Sequence, residues 1–180
     1  MKRRHFLIAV SAAPIGLACS RAFGDDGDGA DRWPGPTRAI SRVANRPPQL
    51  GDQLVLSDIQ WRRRLTREQY GVLREGGTEA PFSGTHWDEH RDGTYYCGGC
   101  GAPVFSSSHK FESGTGWPSF DRPINPRRVG RRNDRSHGMS RVEVHCARCQ
   151  GHLGHIFPDG PPTTHDRYCI NSVSLHFLAS

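Results

Sequence analysis

The chain has 180 residues, six cysteines and a formal net charge of +6, a length that suits one domain with a modest core. Three of those charges are Lys2, Arg3 and Arg4 at the extreme N-terminus, and the +3 that remains argues against nucleic-acid binding. The tightest basic cluster, Arg127, Arg128, Arg131, Arg132 and Arg135, is broken by Gly130, Asn133 and Asp134 and has no interleaved aromatic residue for base stacking, so it reads as a solvated loop.

Met1 to Ser20 reads as an export signal, with a basic head followed by an apolar run from Phe6 to Ala18. That run is thirteen residues long and contains Pro14, short of the roughly 20 apolar residues of a membrane-spanning helix; export without a stable membrane span follows. The arginine pair before His5, Phe6 and Leu7 resembles a twin-arginine signal, which implies a bacterial protein exported after folding, to the periplasm. An ordinary secretory signal is the other reading. Ala18-Cys19-Ser20 fits a small-x-small cleavage site, and lipidation of Cys19 stays open beside it. Residues 21–56 read as a linker: Gly, Asp, Pro and Arg dominate up to Gln53, and no apolar period is sustained.

The domain then occupies residues 57–180. Ser57-Asp58-Ile59-Gln60 and Thr66-Arg67-Glu68-Gln69 each place a hydroxyl three residues before a glutamine, a capping box that predicts a short helix after each. The second is expected to run to about Glu75, burying Tyr70 and Leu73, and to stop at Gly76-Gly77. Beyond it helical periodicity disappears. β-rich runs at Thr94–Cys97, Ala102–Phe105, Arg141–His145 and Tyr168–Phe177 predict a mainly antiparallel β domain with small helices at its front.

Cys97-Gly98-Gly99-Cys100 and Cys146-Ala147-Arg148-Cys149 are two C-x-x-C turns, each following a strand-like run. Four thiolates so arranged suit one tetrahedral, closed and therefore structural Zn2+ that joins two hairpins. Two disulfides are the competing reading in an oxidising compartment. A mixed site from Cys146, Cys149, His152 and His155 is disfavoured, because the histidine spacing is short and Cys97 and Cys100 would be stranded.

That leaves Cys169 apart from every spaced pair. In an extended segment, alternation places Arg167, Cys169 and Asn171 on one side. A thiolate is a strong nucleophile and an amide can bond a polar substrate oxygen, although a lone cysteine is also a common small core residue. His152 and His155 are free to assist it, since imidazole stabilises a thiolate and donates a proton near neutral pH.

Several motifs together resemble the methionine-R-sulfoxide reductases over roughly Ser57 to Phe177. They are Leu65–Tyr70, Pro81-Phe82-Ser83-Gly84, both C-x-x-C turns, Ser113–Phe120, Gly151–Pro161 and Arg167–Ser172. The resemblance implies a fold of two antiparallel β-sheets, zinc on Cys97, Cys100, Cys146 and Cys149, and a nucleophile at Cys169. It further implies that Trp117 packs on the S-methyl end of the substrate while His152, His155 and Asn171 arrange the polar side. Substrates would be oxidised proteins or peptides. Many members carry a cysteine where this chain has Thr115; with Cys19 lost in the signal and four cysteines on the metal, no spare thiol remains, and the implied enzyme is a one-cysteine type, recycled by a thioredoxin-like or other external thiol reductant. A monomer is expected. A non-catalytic zinc-ribbon-like module and a thiol–disulfide oxidoreductase are the rival readings.

Overall fold

The computed structural model describes residues 48–180; the stretch read as an export signal, Cys19 and the expected linker up to residue 47 lie outside the described residues. Residues 48–56 lie against the second cysteine turn: the Leu54 amide donates to the Arg148 carbonyl, and Arg128 Nη1 donates to the Pro48 carbonyl at 2.7 Å.

Two helices follow, α1 (Asp58–Arg64) and α2 (Arg67–Leu73), each opened by its expected capping box. Ser57 and Gln60, then Thr66 and Gln69, exchange side-chain-to-amide bonds, satisfying donors that helix ends otherwise orphan. Helices of seven residues do not stand alone in water; these are held because Trp61, Leu65 and Leu73 enter the core. α2 ends two residues before Glu75. Gly76 takes φ +73°, and the amides of Gly76 and Gly77 bond back to Val72 and Gly71, so the glycine stop holds while the last turn loosens. Tyr70 is only half-buried because its hydroxyl reaches Asp58 at the surface; Val72 and Gln69 take the inner face with Leu73.

The strands are β1 (Gly93–Cys97), β2 (Pro103–Ser106), β3 (Lys110–Phe111), β4 (Ser119–Phe120), β5 (Val129–Asp134), β6 (Arg141–Cys146), β7 (His152–Phe157), β8 (Arg167–Ile170) and β9 (Leu175–Ala179). They form a three-stranded sheet ordered β2-β1-β9 and a six-stranded sheet ordered β3-β4-β8-β7-β6-β5, antiparallel throughout. The expected fold of two antiparallel sheets with small helices in front is the fold observed. Aromatic rings fill its core: Phe105 stacks on Phe120 at 4.4 Å and Tyr95 meets Phe120 edge-on at 5.0 Å.

Two expectations are corrected. Tyr168–Phe177 is not one strand: β8 ends at Ile170, Ser172–Ser174 form a 3-10 turn, and β9 belongs to the other sheet. Local bonds win over the ladder there, because the Ser174 amide and hydroxyl both donate to the Asn171 carbonyl and the Glu79 carboxylate accepts from the amides of Ser172 and Val173. The basic cluster is solvated as expected, Arg127, Arg131, Arg132 and Arg135 being exposed, but it is not a loop. It spans a 3-10 turn (Pro126–Arg128) and the edge strand β5, which pairs with β6 over its whole length. Arg131 reaches Tyr168 and Asp166, and Arg132 reaches Glu143.

On β9, burial and then the neighbouring His86 push His176 down to about 4. As pH falls from about 6.5 toward 4, the unfolded chain takes up a proton that the folded site refuses, so stability is lost with acidification. The melting temperature is expected to fall more steeply over this window in wild type than in His176→Gln. Parallel slopes would refute the assignment.

Candidate active site and metal centre

At one end of the molecule the two C-x-x-C turns meet. Cys97, Cys100, Cys146 and Cys149 are all buried, with their four sulfurs within 4.8 Å of one another. The closest sulfurs pair across the turns, Cys97 with Cys149 at 3.7 Å and Cys100 with Cys146 at 3.5 Å. These separations exclude disulfide bonds and approach the edge of a tetrahedron built on Zn–S bonds of about 2.3 Å. The thiols also compete: hydrogen bonds among them, those with Cys100 first, pull Cys146 toward thiolate and push Cys97 and Cys149 up. A divalent cation would relieve that competition by holding all four as thiolates, so the donor set fits a structural metal. α1 and α2 brace the centre, Arg64 Nε donating to the Gly99 carbonyl and Arg74 Nη1 to the Cys149 carbonyl. His152 and His155 belong elsewhere, each bonded to a carboxylate.

Cys169 lies on β8, deep in the six-stranded sheet. Its register partners are Ser119 on β4 and His155 on β7; His155 pairs in turn with Glu143 on β6, and Glu143 with Arg132 on β5. Directly paired residues point to the same face. Five strands thus line up Ser119, Cys169, His155, Glu143 and Arg132 in one lateral row. Burial pushes the Cys169 thiol up, while the Arg167 guanidinium and the Thr115 hydroxyl in contact with it pull the other way. Arg167 does share the face of Cys169, held bidentately by Asp159 at 2.9 and 2.8 Å. Gly154 is required by the close approach of β7 to β8, since a Cβ there would meet the Cys169 carbonyl at 2.0 Å.

His152 joins the row through a bulge. Val144 pairs with Gly154 but His145 pairs with His152, so Leu153 is an extra residue on β7. Residues three apart on a regular strand face opposite ways; the bulge restores a common face, and the two imidazole centroids lie 5.2 Å apart. The Leu153 carbonyl accepts from Asn171 twice, from its amide at 2.8 Å and from Nδ2 at 3.0 Å. Asn171 Oδ1 meanwhile accepts the Glu79 amide. Asn171 is therefore a buried brace beyond the end of β8, with its amide group spent on the bulge and on Glu79.

Trp117 is half-buried beside this row, its indole Nε1 donating to the Glu79 carbonyl at 3.2 Å. The adjoining Gly116, at φ +86°, bonds the amide of Phe82 at 2.8 Å, and Phe82 stands 56% exposed with φ +62°. Glu79, Ser119, Asp134, Glu143 and Arg132 were not assigned to the site from the sequence. Arg132 stood inside the basic cluster, and the carboxylates carried no signal until pairing placed them. A cavity of about 1120 Å³ between α2, residues 77–86 and β9 is lined by neither Cys169 nor His152 nor His155. The row, by contrast, brings together Cys169, His155 and His152.

The SelR domain model matches residues 65–179. The chain is 60% identical over 121 residues to a protein of Thiobacillus denitrificans, covering 67% of this chain and 92% of that protein. It is 52% identical over 141 residues to one of Thioalkalivibrio sulfidiphilus, covering 78% and 98%, and 55% identical over 126 residues to one of Leifsonia xyli subsp. xyli, covering 69% and 91%. Each of the three is named peptide methionine sulfoxide reductase MsrB.

Proposed function

We infer the reaction from the premise that this chain belongs to the SelR domain family, whose similar members are peptide methionine sulfoxide reductases. It is an enzyme that reduces methionine sulfoxide in proteins or peptides, and we assign it the R epimer. The observation that carries the mechanism is the placement of Cys169, the one thiol outside the metal cluster among the described residues, between Ser119 and His155.

A sulfoxide sulfur is electrophilic, but its oxygen leaves only when protonated. Cys169 attacks that sulfur, His152 and His155 carry the proton to the oxygen, and Trp117 packs on the S-methyl group. Asn171 serves by bracing the bulge that aligns the histidines. The cysteine thiol and the sulfoxide become a cysteine sulfenic acid and the thioether of methionine, with atoms and electrons balanced. Thr115 touches the thiol where a resolving cysteine would be needed, so the sulfenic acid is returned to thiol by an external thiol reductant such as a thioredoxin-like protein.

The four-cysteine cluster is assigned to one zinc ion, which when bound joins the two turns and takes no part in the reaction. No helix among the described residues is long and apolar enough to cross a membrane. The N-terminal arginine pair and apolar run support export by a twin-arginine route to the periplasm, ahead of a linker that ends near residue 56 and a domain over 57–180 acting as a monomer.

Mature protein given racemic methionine sulfoxide in a peptide, with a dithiol reductant, is expected to consume the R epimer alone. Loss of the S epimer, or of neither, would overturn the assignment.

A further inference from the structure

The lateral row ends in charge. Arg132 and Glu143 are cross-strand partners on β5 and β6, and two residues farther along the same face Asp134 and Arg141 are partners with the signs reversed. Arg132 Nη2 donates to Glu143 Oε1 at 2.8 Å, and the same oxygen lies 2.8 Å from His152 Nδ1. Arg141 Nη2 donates to Asp134 Oδ2 at 2.7 Å, and that oxygen lies 2.8 Å from His155 Nε2. The two imidazoles are thus anchored through opposite ring nitrogens.

Both carboxyls are held ionised. Burial raises Glu143, but Arg132 and His152 outweigh it; Asp134 is lowered first by Ser136 and then by His155 and Arg141. An ionised carboxylate only accepts hydrogen bonds, so the ring nitrogen facing it bears hydrogen. His152 is only 4% exposed, burial keeps its imidazole neutral, and its Nε2 meets no hydrogen-bond partner. A buried polar atom left unmatched is costly and rare, and is accounted for when it takes part in the chemistry.

We propose that Glu143 and Asp134, each held by its cross-strand arginine, are positioning residues that fix His152 and His155 in opposite tautomers, His152 with a bare Nε2 and His155 with a bare Nδ1. The proposal rests on the reductase reading and divides the labour of the histidine pair. The thiol proton of Cys169 passes to a bare imidazole nitrogen as the sulfur attacks. The same proton is then delivered to the oxygen, which ends as the hydroxyl of the sulfenic acid; the cysteine sulfur loses two electrons and the sulfoxide sulfur gains them. Fixed tautomers ensure that each ring offers an acceptor from the first encounter, without waiting for a proton to move between its own nitrogens.

The test uses the whole enzyme. Nitrogen-15 spectra of the imidazoles in wild type at neutral pH are expected to show Nδ1–H for His152 and Nε2–H for His155. Glu143→Gln, and the double exchange Arg132→Glu with Glu143→Arg, are both expected to slow sulfoxide reduction by about 100-fold, the scale of one lost general acid–base group. Metal content is expected to be unchanged in both. The exchange keeps the cross-strand ion pair but sets a guanidinium beside His152, so a pair with only a structural role would leave it near wild-type rate. That result, or the same tautomer on both histidines in wild type, would overturn the proposal. The wild-type spectrum decides even if neither variant folds. A wild type that reduces no sulfoxide would refute the reductase reading and leave the tautomers measurable.

Discussion

Cys169→Ser is expected to abolish sulfoxide reduction while the domain stays folded and its metal bound. Serine fits the same place on β8, between Ser119 and His155, but its hydroxyl is a far weaker nucleophile and has no sulfenic state. The metal thiols cannot substitute, because all four are buried and engaged with one another. The same reasoning fixes the product of a single turnover without reductant. Wild-type enzyme is expected to release one methionine per chain and keep Cys169 as a sulfenic acid, captured by a sulfenic-acid-trapping reagent, with no internal disulfide. Thr115→Cys places a thiol where a hydroxyl already touches Cys169; trapping is expected to fall and a 115–169 disulfide to appear. Mass analysis after one equivalent of substrate reads all of these. Most chains carrying a disulfide from Cys169 to Cys97, Cys100, Cys146 or Cys149 would defeat both the one-cysteine mechanism and the structural role of the cluster.

The second large effect is at the metal centre. Cys100→Ser is expected to lose the metal and the fold together. A structural zinc contributes about 10–16 kcal/mol in small zinc-folded peptides, whereas whole domains are stable by about 5–15 kcal/mol. Removing one ligand of four therefore threatens the whole margin. It also opens the buried cluster that Trp61 and Leu73 share with the four cysteines. Elemental analysis and thermal melting check this. Active protein without zinc, or an unchanged melting temperature in Cys100→Ser, would show that the cluster is not what holds the domain.

Much of the site was legible residue by residue. The capping boxes at Ser57 and Thr66 and the stop at Gly76 are local patterns enforced by nearby atoms, and they appear where expected. The two C-x-x-C turns converge because a fixed short spacing presents two sulfurs together wherever the turn folds. Strand β5 was missed because its solvent-facing residues are polar and its pairing partner lies elsewhere in sequence. β7 was missed because its glycine and histidines conceal the alternation, and its bulge breaks the period. Asn171 was expected beside Cys169 by strict alternation, but the chain turns away after Ile170 and gives its side chain to Leu153 and Glu79.

By itself the sequence determined which residue types were available for chemistry: a thiol at Cys169 outside the C-x-x-C pairs, a histidine pair, four cysteines in two C-x-x-C turns, and threonine at position 115. It also determined the short helices, since capping and glycine stops act within a few residues. Only the tertiary structure decided who meets whom. Ser119, Cys169, His155, Glu143 and Arg132 come from five strands and become neighbours through antiparallel register. One extra residue, Leu153, decides whether His152 faces the thiol or the opposite side. The physical reason is that register and bulges are set by long-range backbone pairing and by burial of a shared face, neither of which a local pattern of residues contains.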